Sequence, residues 1–270
     1  MSAVGLSKSQ IDRLGLRLVG KTEPAAGGLD LLHRLLLTRS EQLGRAEARV
    51  REELGIVPTS RVKNTETILE KLRRGDGSGL KSIQDLAGMR IVGDFDRRGQ
   101  DELAERIVDL FGDGDRPPRV VDRRVDPMHG YRAVHVIVFP EGDPLEIQVR
   151  TGWQHEWAEF FEKLADRVGR GIRYGEPPDA GWDPDPAAPS AVLEWVVARD
   201  ALRAGVVRWA LSTADFIAAV EVAGTIEPDA PSLRDRHEKI DGHLARLRKV
   251  LGQMADSEDR VHGFLRRERQ

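Results

Sequence analysis

The stretch LEIQVRT, residues 145–151, alternates apolar and polar side chains as far as Arg150. Because successive side chains of a β-strand point to opposite faces of the sheet, this alternation predicts a strand with one apolar and one polar face. The polar face carries the Glu146 carboxylate, the Gln148 amide and the Arg150 guanidinium, spaced about 7 Å apart. The stretch is therefore either an edge strand with a solvated face or the wall of a polar site.

A second strand is predicted over residues 131–139, joined to the first by a short turn at residues 141–143. Its alternation places Tyr131 and His135 on one face. A glycine precedes the tyrosine, and a glycine beside an aromatic ring lets a flat ligand approach the backbone closely. Taken alone, either side chain also fits a packed core position.

The rest of the chain is dominated by helical periodicity. Apolar spacing predicts helices over residues 30–54, 61–72, 99–111 and 153–168, a strand over 89–95 and a polar loop over 112–130. Two long helices follow, over about 191–222 and 233–267. This order predicts an α+β (α/β) fold, in which a mixed sheet is flanked by helices and an all-helical extension follows.

Four parts of the chain are expected. An N-terminal helical segment, residues 1–55, packs on the core of a catalytic-type domain at residues 56–175. Residues 176–190 form a linker, because five prolines fall within this stretch. The helical extension covers residues 191–270, and its last helix carries an apolar stripe. That stripe either packs within the chain or forms a helix–helix interface with another copy or a partner.

Composition excludes several classes of protein. The 270 residues include no cysteine, which excludes disulfides, thiolate metal sites and a cysteine nucleophile. With 42 basic and 45 acidic residues, the net charge of -3 argues against a polycation that binds nucleic acid through overall charge. No apolar run approaches the length of a membrane span or a signal peptide, so a cytoplasmic location without membrane contact is expected.

The basic residues are unusual, since all but eight of the 42 are arginines. Arginine stacks on flat rings and binds phosphates with a planar fork, which lysine cannot do. In the predicted helix over residues 61–72, however, Lys63, Thr67 and Lys71 recur at steps of four and share one face. Such a basic stripe is a solvated face or, beside a cleft, a cradle for phosphates.

Two carboxylates could bind a metal ion together. Asp85 stands at the turn before the strand predicted over residues 89–95, and Glu146 lies on the strand described first. Magnesium binds one or two carboxylates together with substrate phosphates. If the two strands are neighbours in the sheet, Asp85 and Glu146 form such a pair.

Five segments in this order resemble the synthetase domain of the RelA/SpoT family. They are RVKNTETILEKL (61–72), IQDLAGMRIV (83–92), HGYRAVHVIV (129–138), LEIQVRT (145–151) and WQHEWAEFFEKL (153–164). The resemblance covers about residues 45–170 and implies a nucleotidyltransferase-like synthetase domain. That family transfers a pyrophosphate group from ATP to a ribose 3′-hydroxyl, usually of GDP or GTP, and so makes the alarmone (p)ppGpp.

The resemblance implies an ATP site and a magnesium cofactor. Arg61 and Arg90 resemble the two arginines that sandwich adenine. Lys63 and Lys71 resemble the contacts to the ATP phosphates, and Thr67 stands where the family commonly has serine. Stacking on adenine needs a flat cation, so lysine is expected to be a poor substitute for either arginine.

The resemblance also implies an acceptor site. Tyr131 resembles the aromatic that stacks on the acceptor base. Glu146 resembles the carboxylate that activates the 3′-hydroxyl, and Asp85 resembles the magnesium ligand, so that the two share the metal. The other acceptor-side candidates are His135, Gln148 and Arg150 at motif positions, and Arg123 and Arg124 in the preceding loop.

Two features depart from the family pattern. There is no His-Asp dipeptide and no room for the upstream hydrolase domain or the long regulatory half of bifunctional members, so no hydrolase activity is expected. The segment before Tyr131, residues 121–130, is shorter than the basic loop of nucleotide-acceptor members. It carries His129 where they have asparagine. This shortened loop resembles that of toxic small synthetases, some of which pyrophosphorylate the 3′-CCA end of tRNA.

Three functions remain open from the sequence. The first is a small alarmone synthetase that uses GDP or GTP as acceptor. The second is a toxic member that modifies the tRNA 3′ end, blocks translation and is neutralised by an antitoxin. The third is an inactive module that binds nucleotide or a partner. In each case the C-terminal helices are candidates for contacts with an antitoxin or for homo-oligomer formation.

Overall fold

A computed structural model describes residues 6–19, 26–73, 79–180 and 190–268 of the chain. The strands are β1 (Thr59–Val62), β2 (Ala87–Gly93), β3 (Arg119–Asp122), β4 (Val134–Val138) and β5 (Leu145–Thr151). The helices are α1 (Lys8–Leu18), α2 (Ala26–Leu54), α3 (Thr65–Arg73), α4 (Arg97–Leu110), α5 (Gly152–Val168), α6 (Ser190–Ile226) and α7 (Ser232–Glu268). None of the described helices is long and apolar enough to cross a membrane.

The five strands form one mixed sheet in the order β1-β2-β5-β4-β3, with helices flanking it. The predicted α+β architecture is therefore confirmed. β5 occupies the predicted residues and stands in the middle of the sheet, which excludes the edge-strand interpretation. Its Leu145, Ile147 and Val149 are buried, as the alternation predicts. β2 is its direct neighbour, so the strands associated with Asp85 and Glu146 do lie side by side.

The helix predicted over residues 61–72 begins later than predicted. Residues 59–62 are the strand β1, which pairs antiparallel with β2. The helix α3 starts at Thr65, where the side-chain oxygen of Asn64 accepts a hydrogen bond of 2.8 Å from the Thr67 amide. Asparagine at this position satisfies a helix-terminal N–H that has no partner within the helix. Arg61 therefore lies on a strand, and Lys63 does not share a helical face with Thr67 and Lys71.

The loop predicted over residues 112–130 contains the strand β3, which pairs antiparallel with β4. The hairpin ends at a two-residue turn formed by His129 and Gly130, whose φ angles are 48° and 85°. Two positive φ angles are characteristic of the type I′ turn, whose twist matches that of paired strands. Tyr131 follows this turn and precedes β4, so it is not a member of the strand in which the alternation placed it.

Contacts between Cα atoms divide the chain into two compact units. The first unit comprises residues 1–93, 99–122 and 134–150, and the second comprises residues 94–98, 123–133 and 151–270. Of the proline-rich linker expected at residues 176–190, residues 181–189 lie outside the described part of the chain. The domain boundaries expected from the sequence remain a prediction.

Each unit has its own buried core. In the first unit α1, α2 and α3 pack together, and α2 also lies against β1 and β2. In the second unit α5, α6 and α7 pack around Trp157 and its neighbours. The apolar stripe of α7 contributes Leu233, Ile240, Leu244, Leu247 and Met254 to that core. The described part of the stripe is thus buried within the chain.

A buried carboxylate sits at the start of α5 in the second unit. The Thr151 hydroxyl donates a hydrogen bond of 2.5 Å to Glu221 of α6, and the Gln154 amide donates a second of 2.9 Å. Burial raises the pKa of Glu221 above its usual value of 4.5. These hydrogen bonds and the charges of Arg97 and Arg124 only partly oppose that rise. The ionised form of Glu221 therefore costs the second unit stability.

This raised pKa predicts a pH-dependent difference between the wild type and Glu221→Gln. A carboxyl whose pKa is higher in the folded state contributes stability below its unfolded pKa and loses it as pH rises through the folded value. The wild type should gain stability relative to Glu221→Gln as pH falls through the raised folded-state pKa of Glu221 toward 4.5, by about 1.4 kcal/mol per pH unit between the two pKa values. Urea unfolding followed by tryptophan fluorescence measures this; a pH-independent difference would contradict it.

Candidate functional site

Two arginines lie on one face of neighbouring strands in the first unit. Arg61 of β1 pairs with Gly88 of β2, and Arg90 is two residues further along β2. Residues in this diagonal relation share a face, about 7–8 Å apart. A flat ring between two flat cations needs two van der Waals contacts of about 3.5 Å each. The spacing therefore suits a planar base held between Arg61 and Arg90, as the resemblance implies.

Gly88 brings β2 unusually close to β5. A Cβ atom at this position would lie 2.8 Å from the backbone oxygen of Glu146 and 3.7 Å from its Cβ atom. A side chain here would push apart the two strands at the level of the candidate base. Glycine is thus required by close approach of two backbones. As a result, the Arg61–Arg90 pair and Glu146 lie on adjoining strands with no side chain between them at Gly88.

Asp85 lies between the two lysines of the site. Lys63 forms a short ion pair with one of its carboxylate oxygens, and the Lys71 ammonium lies 3.2 Å from the other. Lys63 reaches this position because its backbone amide bonds the carbonyl of Leu86, which extends the β1–β2 ladder. Burial alone would raise the pKa of Asp85, but the charges and hydrogen bonds of Lys63 and Lys71 outweigh it and lower that pKa.

Glu146 heads a row of hydrogen-bonded polar side chains on β5 and β4. Its Oε1 lies 2.9 Å from His135 Nδ1, and its Oε2 accepts a bond of 2.6 Å from the Gln148 amide. The Gln148 oxygen in turn accepts a bond of 2.7 Å from Arg150, which is buried. His135 pairs with Gln148 across the two strands, so all four side chains lie on one face. The sheet therefore holds Glu146 in a defined orientation.

The charge state of Glu146 suits a proton acceptor. Burial pushes the pKa of Glu146 upward, and the charge of Asp85 pushes it the same way. Hydrogen bonds from His135 and Gln148, and the proximity of His135, outweigh both and leave the pKa below its usual value. Glu146 is accordingly ionised at neutral pH and can accept a proton from a hydroxyl group placed beside it.

The residues present fit a magnesium ion. Asp85 lies just before β2 and Glu146 lies on β5, its neighbour in the sheet, so adjoining strands offer two carboxylates. Among the described residues no group of three or more His, Asp or Glu side chains could hold a metal ion. Magnesium does not require one, because it is commonly bound by one or two carboxylates together with water and substrate phosphates. Asp85 and Glu146 are the side chains that could hold it here.

The remaining predicted residues belong to the second unit. Tyr131 packs against the core formed by α5, α6 and α7. Arg123 lies 3.3 Å from Asp126, and Arg124 donates a bond of 3.3 Å to the backbone oxygen of Arg97. The structure thus brings together the ATP-side candidates, His135, Glu146, Gln148 and Arg150 in one unit. Tyr131, Arg123 and Arg124 are in the other. Thr67 lies on α3, between Lys63 and Lys71 in the sequence.

Two residues near the candidate acceptor side were not predicted from the sequence. Arg132 bonds both the backbone of Gly130 and the side chain of Asp215, which lies on α6. The sequence signal for Arg132 is its position directly after Tyr131. Asp215 is 83 residues away on a helix with no local motif, so no local pattern identifies it.

Comparisons with known proteins agree with the resemblance. The family model described as the region found in RelA/SpoT proteins matches residues 60–165. The uncharacterized proteins Rv1366 and MT1412 of Mycobacterium tuberculosis and Mb1401 of Mycobacterium bovis are each 40% identical to this chain over 176 residues. The match covers 64% of this chain and 64% of each relative, so the chain spans less than two thirds of their length.

Solved structures of small alarmone synthetase 1 from Bacillus subtilis are also similar. One has a TM-score of 0.48 and 22% identity, and covers 74% of this chain and 99% of that chain. Another, bound to its product pppGpp, has a TM-score of 0.42 and 24% identity over 53% of this chain and 86% of that chain. A third, bound to AMPCPP, has a TM-score of 0.41 and 21% identity over 73% and 98%.

The family match begins in β1 and ends in α5, so it spans Arg61, Asp85, Tyr131, Glu146 and the whole sheet between them. The order of the five motif segments and the geometry of the sheet agree with it. Residues 60–165, the part of the chain that the family model matches, are thus similar to the region found in RelA/SpoT proteins, as the five motif segments predict.

Proposed function

We propose that the chain is an ATP pyrophosphotransferase of the GTP diphosphokinase type, which moves the β,γ-pyrophosphate of ATP to the ribose 3′-hydroxyl of GDP or GTP. One observation carries the proposal. An ionised carboxylate, Glu146, is held by two hydrogen bonds on the strand beside the Arg61–Arg90 pair. Glu146, the base for the acceptor hydroxyl, thus lies on the strand next to the one that carries Arg90, and Arg61 and Arg90 together can bind a purine ring.

The reaction itself requires positioning and charge neutralisation more than covalent help from the protein. The acceptor 3′-oxygen attacks the β-phosphorus of ATP, the bond from that phosphorus to the oxygen that bridges it to the α-phosphate breaks, and AMP departs with the electron pair of that bond. Glu146 takes the proton of the attacking hydroxyl. When bound, Mg²⁺ neutralises the charge that develops on the phosphate oxygens.

Lys63 and Lys71 have a defined part in this scheme. In the structure their ammonium groups neutralise Asp85. An ATP triphosphate offers these ammonium groups stronger anionic partners, and the released Asp85 carboxylate can then accept a cation. This exchange of partners keeps Lys63, Lys71 and Asp85 each paired with an opposite charge before and after ATP binds. The two lysines therefore pair with Asp85 and, in this scheme, bind the ATP phosphates.

A second candidate function is favoured by the hairpin turn before Tyr131. The turn is short, and His129 occupies the position of the family's asparagine. A short turn offers fewer contacts to a free guanine nucleotide than the longer basic loop does. The candidate acceptor is then the 3′-CCA end of tRNA, with the same attack by a ribose 3′-hydroxyl. In that case an antitoxin partner is also expected.

One assay separates these functions. The protein is incubated with γ-labelled ATP, Mg²⁺ and one acceptor, either GDP, GTP or bulk tRNA, and the labelled product is identified. Label on GDP or GTP supports the proposed function, whereas label on tRNA alone supports the second candidate. A 3′-deoxy form of the accepted nucleotide is the matched control, since it lacks the attacking oxygen. No label on any acceptor, with ATP binding retained, would identify an inactive nucleotide-binding module.

A further inference from the structure

The turn that presents Tyr131, here called the acceptor turn and comprising Met128–Tyr131, is held by side chains of the second unit. Its ends are joined by two backbone hydrogen bonds, from the Met128 amide at 3.3 Å and from the Tyr131 amide at 3.0 Å. His129 has a φ of 48°, which is unfavourable for any residue with a Cβ atom. A strained turn of this kind persists when the surrounding structure determines its conformation.

Arg132 supplies the first external support. One guanidinium nitrogen donates a bond of 3.1 Å to the carbonyl of Gly130, and another donates a bond of 2.8 Å to Asp215 Oδ1. The Arg132 side chain is 11% exposed, whereas that of Asp215 is 73% exposed. The planar fork of arginine can contact both acceptors at once, and it thereby ties the middle of the acceptor turn to α6.

Packing supplies the second support. A Cβ atom on Gly130 would lie 2.8 Å from the Trp157 ring and 3.1 Å from the Leu211 side chain, so this glycine rests directly on both. Trp157 is buried, stacks on Phe161, and donates a hydrogen bond of 2.7 Å to the carbonyl of Ala210 on α6. The residues on which the acceptor turn packs are therefore themselves held by contacts within α5 and with α6.

We propose that Arg132 and Asp215 are positioning residues for the acceptor: through them α6 holds the acceptor turn in one conformation, so that Tyr131 is preorganised before the acceptor binds. The inference rests on the proposed function for the role of Tyr131, and on the geometry alone for the support of the turn. Preorganisation raises affinity because binding of the acceptor then does not carry the entropic cost of ordering the acceptor turn. α6 is in this sense a part of the acceptor side of the enzyme.

Kinetics provide the first test. Asp215→Ala should raise the acceptor KM by about two- to fivefold, the range expected for an exposed ion pair. Arg132→Lys keeps the charge but cannot contact both partners, and should raise the acceptor KM by about tenfold. The KM for ATP and the kcat at saturating acceptor should stay within twofold of wild type. The double variant should be no worse than Arg132→Lys, since both changes break one connection.

Glu156→Ala is the matched control. Glu156 of α5 forms an ion pair with Arg248 of α7, so this change also removes a helix–helix ion pair of the second unit. That pair has no bond to the acceptor turn, and Glu156→Ala should leave the acceptor KM unchanged. An equal rise in the acceptor KM for Glu156→Ala and Asp215→Ala would overturn the proposal, because the effect would then come from general loosening of the helices.

Hydrogen exchange provides a test that does not depend on activity. In Asp215→Ala and Arg132→Lys the amides of Met128 and Tyr131 should exchange about two- to tenfold faster, while α5 and α7 keep their protection. Unchanged exchange in both variants would overturn the proposal even for a fully active enzyme. A wild type that labels no acceptor would instead refute the proposed function, and faster exchange of these amides would still support the anchoring of the turn by α6.

Discussion

Replacing Glu146 by glutamine should lower kcat by about 100- to 10,000-fold, the range that removal of a general base produces. Glutamine has nearly the same shape, but it cannot take the proton of the acceptor hydroxyl. The substituted amide also faces two donors, His135 and Gln148, where the carboxylate accepted from both. ATP binding should be largely retained, because Arg61, Lys63, Lys71 and Arg90 are untouched. Steady-state kinetics and calorimetric titration with ATP measure the two effects separately.

Glu141→Gln is the control for this prediction. Glu141 lies in the connection between β4 and β5, is 53% exposed, and pairs with Arg45 rather than with residues of the site. The same change of charge at Glu141 should leave kcat and ATP affinity within about twofold of wild type, because exposed ion pairs contribute little. Full activity of Glu146→Gln would refute the proposed mechanism. Loss of activity together with loss of ATP binding would indicate damage to the site rather than removal of the base.

The strand that carries Glu146 could be predicted from sequence because its pattern is local. A period of two along residues 145–151 fixes both the strand and the division of its faces, and the structure has the same bounds. The pairing of β2 with β5 could only be expected from the resemblance, because no local pattern shows which strands become neighbours. The close approach of the Gly88 and Glu146 backbones follows from that pairing, so no local sequence pattern predicts it either.

The start of α3 at Thr65 explains why the predicted basic stripe of Lys63, Thr67 and Lys71 was wrong for Lys63. Residues 61–64 fit helical spacing, but pairing with β2 offers this segment hydrogen bonds from a neighbouring strand, and tertiary contacts outweigh weak local preference. The later start of the helix also determines how the two lysines reach Asp85. Because Lys63 sits between β1 and α3, it approaches Asp85 from the strand side while Lys71 approaches from the helix.

The histidine that departs from the family pattern has a physical explanation in the turn. Position 129 requires a positive φ angle, and asparagine, aspartate and histidine are the residues with side chains that adopt it most readily. Asn-Gly is the usual type I′ pair, so His129-Gly130 preserves the turn while changing the side chain beside Tyr131. The support from α6 could not be predicted, because Asp215 is brought to Arg132 only by the packing of the second unit.

The second large effect is expected for Gly130→Ala, which should destabilise the second unit by about 2–5 kcal/mol. A φ of 85° costs an L-residue roughly 1–2 kcal/mol, and crowding in a packed site costs a further 1–3 kcal/mol or so. The crowding cannot be relieved easily, because the Trp157 ring is fixed by its stacking and its hydrogen bond. All five tryptophans lie at or beyond residue 153, so urea unfolding followed by their fluorescence reports on this unit.

Alanine variants at two other glycines separate backbone strain from crowding as causes of the destabilisation by Gly130→Ala. Gly205 lies within α6 with open space around it, so Gly205→Ala should stabilise the second unit by about 0.5–1 kcal/mol. Gly142 has a φ of 84° but no atom near its added Cβ, so Gly142→Ala carries the strain alone, about 1–2 kcal/mol, measurable by circular dichroism. If Gly130→Ala costs no more than Gly142→Ala, the acceptor turn does not rest on Trp157 as described. A larger cost means that Gly130, which directly precedes Tyr131, is held in place by its packing on Trp157 and Leu211.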